Sequence, residues 1–311
     1  MNCQLCGAIL SYNSGFCGNC GTPLTPQGVD YPGFSYTPAR RLHVGKLLGN
    51  TFEIYKRHFG TMCLVGLVLF GIPLVFGICS SIVNNAAQRI NVIEDASLYF
   101  MMQGISILLS IFQTLAQWYV MLGAIRRCLY IARGGTDFQS NMMFPPAMMF
   151  LKVCGLMLLV SCINGGIIMV TLLPAAAVFM IPYTTGMFNG NELSPELIAL
   201  IAVGSVFLII GVCVTIWVCI RLSLAQVFIA AQGAGIIDSM GYSWRVTSGN
   251  AWKLFWTIFV LAICSISGIL LCCIGIILTI AMSYLGIALT YLQLTGQPNY
   301  LDQVAPFPST Y

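Results

Sequence analysis

The chain has 311 residues, of which 58% are hydrophobic and 7% charged, with a formal net charge of +4. A soluble domain carries about a quarter charged residues, so a mean hydropathy of +0.89 leaves too little polar surface to coat a globule, and it equally excludes a disordered chain. The composition is that of an all-α polytopic membrane protein.

Four of the fourteen cysteines fall within the first twenty residues, as Cys3-x2-Cys6-Gly7 and Cys17-x2-Cys20-Gly21. Two thiolates two residues apart on a glycine-closed turn grip one face of a tetrahedral zinc ion, and the second pair supplies the other face. Residues 1–21 are thus expected to form a zinc ribbon around one structural zinc ion, folded by the metal because the segment is too short for a core. A pair of redox-active sites is the competing reading. It lacks a surrounding thioredoxin-like unit, and a reducing cytosol disfavours it. Residues 1–38 hold no Lys or Arg, so phosphate contacts and nucleic acid are not expected; a protein partner is. The other ten cysteines lie in or beside apolar stretches, where a thiol behaves as a small hydrophobe. The N-terminal stretch has neither a basic nor an apolar region of the signal-peptide kind and is not expected to be one.

Residues 22–41 contain Pro23, Pro26, Pro32 and Pro38 and little aliphatic content, the mark of an extended linker. From about 44 to 58 the pattern becomes that of an amphipathic helix. Leu48, Phe52, Tyr55 and Phe59 recur at spacings of four, three and four, with Lys46, Glu53, Lys56 and Arg57 on other faces. Such a helix lies at the membrane interface or packs on its neighbours, and the apolar run that follows favours the interface.

A spanning helix needs about 20 apolar residues. Runs suited to spanning occur near 61–83, 98–125, 150–173, 197–220, 252–273 and 275–294. Six spans is the best count, with five or seven as alternatives. Residues 174–188, interrupted by Pro174 and Pro182, are either an extension of the third helix or an interfacial segment. The last two runs meet at Cys272-Cys273-Ile274-Gly275, a tight hairpin. These elements make up a membrane domain over 42–295, followed by a flexible tail over 296–311.

Charge placement sets the orientation. With the N-terminus inside, Arg40, Arg41, Lys46, Lys56, Arg57, Arg126, Arg127, Arg133, Lys152, Arg221, Arg245 and Lys253 are cytoplasmic, twelve of the thirteen basic residues. Only Arg89 is outside. The positive-inside rule thus predicts a cell (inner or plasma) membrane protein with both termini in the cytoplasm.

On the second span Gln103, Ser106, Ser110, Gln113 and Gln117 form one stripe at helical spacing. Polar groups inside a bilayer need partners, so the stripe is either interhelical hydrogen-bond glue or one wall of a polar groove for a solute or lipid headgroup. Thr279, Ser283, Gly286, Thr290 and Gln293 make a milder copy on the sixth span, which reads as close helix packing. No Asp, Glu or His lies deep in a span, and both histidines, His43 and His58, precede the first. Ion-coupled carriers and intramembrane hydrolases require such groups. With no HExxH pair, aspartyl pair or P-loop either, no catalytic residue is expected and the protein is read as a non-enzyme.

The stretch from Arg221 to Lys253 suggests a short amphipathic helix near 236–248, with Ile237, Met240, Trp244 and Ser248 on one face and Gly249-Asn250 as its C-cap. Trp244, Trp252 and Trp256 are placed for an interfacial aromatic belt. Gly235-Ile236-Ile237-Asp238-Ser239, then Ser243-Trp244-Arg245-Val246-Thr247-Ser248-Gly249-Asn250-Ala251-Trp252-Lys253, resembles the six-helix membrane domain of the glycerophosphoryl diester phosphodiesterase membrane family, and Val44–Gly60 resembles its start. Many members carry an acidic residue near the position of Gln232. The resemblance implies a membrane module without the hydrolase. The expected function is a non-enzymatic scaffold, sensor or adaptor, embedded in the lipid bilayer and acting through its zinc ribbon at the cytoplasmic face; the alternative is a lipid or small-solute facilitator using the stripe on the second span.

Overall fold

The computed structural model describes residues 42–89, 95–135, 143–184, 195–270, 272–297 and 299–301. Among these residues the chain forms α1 (Val44–Arg57), α2 (Phe59–Gln88), α3 (Ala96–Ala132), α4 (Ala147–Thr184), α5 (Pro195–Leu222), α6 (Ala225–Gln232), α7 (Ile236–Thr247), α8 (Ala251–Leu270) and α9 (Cys272–Thr295). Six helices are long and apolar enough to cross a membrane. Residues 174–184 continue α4 without a break despite Pro174 and Pro182. The helix α6 has no counterpart among the expected elements; its eight residues are too few for a periodic signal to stand out from the apolar run before it.

Two compact units divide the described residues. One comprises the chain up to Cys154 together with the part from Leu224 onward; the other spans Gly155–Ser223. In the first unit α9 is the central pillar, packed against α1, α2, α3, α7 and α8. Half of its most apolar window is buried, against at most 22% for the other spans.

Side-chain size explains its position. In hydrocarbon, leucine gains nothing by leaving lipid for protein, so helices associate where small residues let backbones approach and hydroxyls find acceptors. A Cβ on Gly66 of α2 would fall onto the carbonyl oxygen of Ile277 on α9. Against α8, a Cβ on Gly286 would come 2.8 Å from Leu261 Cδ1, and one on Gly268 would strike the Thr279 hydroxyl. Ser265 and Ser283 join the same seam through their hydroxyls at 2.7 Å. The small-residue stripe on the sixth span is thus a packing seam. In the second unit, α4 and α5 meet at Gly211, whose Cβ would lie 2.6 Å from the Thr171 hydroxyl, and Asn164 Nδ2 points to Cys219 Sγ at 3.7 Å.

The helix α1 packs with only part of its aromatic stripe. Its buried residues are Leu47, Thr51, Ile54 and Tyr55, while Phe52 and Phe59 of the aromatic stripe are 60% and 49% exposed. Packing takes the face of Leu47, Thr51, Ile54 and Tyr55 and leaves the phenyl rings of Phe52 and Phe59 outside.

Substituting Gly66→Ala should force α2 away from α9 and destabilise the purified protein by about 1–3 kcal/mol, the usual range for overpacking. Gly71→Ala, with nothing within 4 Å of its Cβ, should be tolerated. Thermal unfolding in detergent checks both.

Candidate functional site

One end of the first unit gathers most of its charged and aromatic polar groups. The last turns of α3 carry Arg126 and Arg127, and Arg133 follows at its end; their exposures are 6%, 1% and 8%. The sequence ends the second span near residue 125 and puts these three after it, on the cytoplasmic side. Two of them instead lie within the helix, and all three are buried. A guanidinium tolerates burial when its flat faces and fork of donors are occupied. The Arg127 guanidinium lies 5.4 Å from the centroid of the Tyr130 ring, and Arg133 Nη2 donates to Gln297 Oε1 at 2.9 Å.

Between α1 and α2 the His58 ring lies edge-on to Tyr300, centroids 6.3 Å apart, and Arg57 sits 5.8 Å over the same ring while bonding Glu53 Oε1 at 2.6 Å. The chain reaches Tyr300 past Gly134, whose φ of 95° and closeness to Tyr300 Cδ2 (2.9 Å from a Cβ) admit only glycine. Burial, reinforced by the positive charges of Arg127 and Arg57, holds His58 below its ordinary value, so the imidazole is neutral near pH 7.

The neighbouring corner is built from α6, α7 and the start of α4. Gln232 Nε2 donates to Tyr291 Oη at 2.8 Å, and Phe228 stands edge-on to Tyr291 at 5.0 Å. Lys152 Nζ donates to the carbonyl of Gly233 at 2.6 Å, fastening α4 to the left-handed turn that ends α6. The glutamine where the resembled family often has an acid therefore makes a neutral hydrogen bond to a tyrosine.

The serines and threonine of the motif within α7 face inward, while Ile237, Asp238, Trp244 and Arg245 face outward. Ser239, Ser243 and Thr247 are fully buried. Ser239 donates to the Ile236 carbonyl at 2.7 Å and Thr247 to that of Ser243 at 2.8 Å, so their polar atoms are satisfied within the helix. Gly249, at φ 80°, makes the turn into α8. Asn250 beside it accepts from the Leu42 amide at 3.3 Å, tying the N-terminal edge of the described chain to this corner.

The stripe on α3 is not one continuous feature. Ser106 donates to Asn84 Oδ1 on α2 at 2.8 Å, a cross-helix bond. Gln103 donates to Tyr99 Oη at 3.3 Å and Ser110 to the Ser106 carbonyl at 2.9 Å, both within α3. Gln113 is half-buried, and Gln117 Oε1 is buried without a hydrogen-bond partner among the described residues. Cys3, Cys6, Cys17 and Cys20, with the linker, lie outside the described residues, as does most of the tail. Among the described residues no three His, Cys, Asp or Glu side chains cluster for a metal ion.

The residues that sequence reasoning overlooked are Asn250 as a clamp and the buried arginines. The signal for the latter was present: Arg126-Arg127 is followed by Cys128-Leu129-Tyr130-Ile131-Ala132, so the apolar run continues beyond the charges.

Helices of this length and composition make a multi-pass membrane protein. The chain belongs to the family described as a domain of unknown function, DUF7847, which matches residues 146–306. No curated protein and no solved structure matches it.

Because folding holds the proton off His58, the unfolded chain binds more protons once the pH drops through about 6.5. Stability should therefore decline as pH falls through that value. His58→Gln should flatten the decline, read as apparent melting temperature against pH.

Proposed function

We propose that the chain is a non-enzymatic membrane adaptor. Its helices hold a platform in the inner or plasma membrane with both termini cytoplasmic, and Cys3, Cys6, Cys17 and Cys20 bind one structural zinc ion in a ribbon that docks a protein partner. The observation that carries this reading is the mooring of Leu42. This residue is 1% exposed, and its amide is held by Asn250 at the corner between α7 and α8. Whatever precedes it leaves the helices from the end where α1, α7 and the buried arginines lie. Four thiolates in two glycine-closed turns suit a tetrahedral ion, and the bound metal would supply the folding energy of a segment that small. The likeness of residues 235–239 and 243–253 to the glycerophosphoryl diester phosphodiesterase membrane domain supports a membrane module of that kind. The absence of carboxylates and histidines deep in the spans supports a role without chemistry.

A second reading is favoured by Gln117 alone. A buried amide oxygen lacking a partner among the described residues suits a path along α3 for a lipid headgroup or small solute, with Gln113 beside it.

Cross-linking and co-purification from native membranes, beside a Cys17→Ser/Cys20→Ser variant, test the adaptor. The unmodified chain should yield one zinc per protein and a partner, and the variant should lose both while still inserting. A partner retained without zinc would overturn the docking role.

Changing Gln113 and Gln117 to Leu separates the second reading. An adaptor should keep its partner and its bound lipid. A fall in bound lipid or solute flux with folding intact would favour the facilitator.

A further inference from the structure

The helix α7 is amphipathic in the inverse sense. Its hydroxyls are turned inward, whereas Ile237 is 79% exposed and Trp244 and Arg245 are also outside. Across the turn at Gly249, the start of α8 continues this outer surface with Trp252 (68% exposed), Lys253 and Trp256. The rings form a contiguous row: Trp252 stacks on Phe255 at 5.3 Å, and Trp256 stands edge-on to Phe259 at 5.4 Å, further along the span. The bond from Leu42 to Asn250 brings the start of α1 to the same corner. That helix exposes Phe52 between Lys46, Lys56 and Arg57, and Phe59 opens α2 just beyond it.

The exposed charges of the three helices are Arg245 and Asp238 on α7, Lys253 on α8, and Lys46, Glu53, Lys56 and Arg57 on α1. Glu53 is engaged by Arg57. Asp238 lies in the first turn of α7, where a negative charge complements the helix dipole, about two turns from Arg245. Exposed indoles mixed with cations, continuous with a spanning helix, match the headgroup layer of a bilayer in polarity and an acidic headgroup in charge.

We propose that the surface formed by α7 and the first turns of α8 is a selective site for anionic phospholipid. The indoles of Trp244 and Trp252 would lie at the level of the glycerol backbone, with Arg245 and Lys253 attracting the acidic headgroup. Continuity of the aromatic row with the span argues for lipid over a soluble protein. This inference does not depend on the zinc ribbon or on the α3 stripe.

The test uses the full-length chain reconstituted in bilayers with spin-labelled phosphatidylglycerol or spin-labelled phosphatidylcholine. The lipid fraction immobilised at the protein is read by electron paramagnetic resonance. The wild type should prefer phosphatidylglycerol, and added salt should weaken that preference, as for any exposed charge pair. Arg245→Gln/Lys253→Gln should lower it by about fivefold or more, the factor for losing at least one cation near an acidic surface. Arg89→Gln, beyond the opposite end of α2, should leave it unchanged. Circular dichroism and thermal unfolding confirm that the variants are folded, and the salt titration of the wild type stands even if the double variant is not. Equal association of the two lipids with the wild type would overturn the proposal. So would a preference that the folded double variant keeps, or a photo-cross-linker at Gly241 that captures protein in place of lipid in native membranes.

Discussion

Close approach to α9 is the constraint on which the first unit depends. In a bilayer the usual reason for helices to associate is missing, because an apolar side chain is as well solvated by lipid as by protein. What remains is contact between backbones and the satisfaction of polar atoms. The helix α9 supplies both, with Thr279, Ser283 and Gly286 facing α8 and the Ile277 carbonyl receiving Gly66 of α2. It is the last spanning helix in the chain, yet most of the other helices of its unit rest on it.

The same logic accounts for the hydroxyls at the basic end. Thr51, Thr247, Thr257 and Thr290 are all fully or almost fully buried, and each returns its proton to the carbonyl four residues earlier. A self-satisfied threonine is short and needs nothing from its neighbour, so α1, α7, α8 and α9 can lie close without unpaired donors. An outward face of aromatic side chains and cations then follows on α7, because the inward positions are taken by serine and threonine.

Burial of Arg126, Arg127 and Arg133 gives this end its electrostatic character. Burial and the charges of Arg127 and Arg57 hold the proton off His58, while Arg127 lies over the Tyr130 ring and Arg133 bonds Gln297. The end that carries the buried guanidiniums is also the one that carries the Leu42 mooring and the α7 surface.

Much of this protein was determined by its sequence alone. Apolar runs interrupted by charge marked all six candidate spans to within a few residues of most ends, because length and hydropathy are local properties that the bilayer reads directly. The amphipathic periods near 44–58 and 236–248 coincide with α1 and α7. Tertiary structure alone decided which face of each short helix is packed. Leu47, Ile54 and Tyr55 went inward and Phe52 outward; Ser239 and Ser243 inward and Ile237 outward. Hydrophobicity cannot make that choice where the alternative to the protein interior is lipid. It is made by the shape of the neighbouring helix, which resides in residues such as Gly66, Ile277 and Asn250, far away along the chain. The stripe on α3 shows the same limit: of five polar residues in perfect register, Ser106 bonds another helix, whereas Gln103 and Ser110 bond within α3.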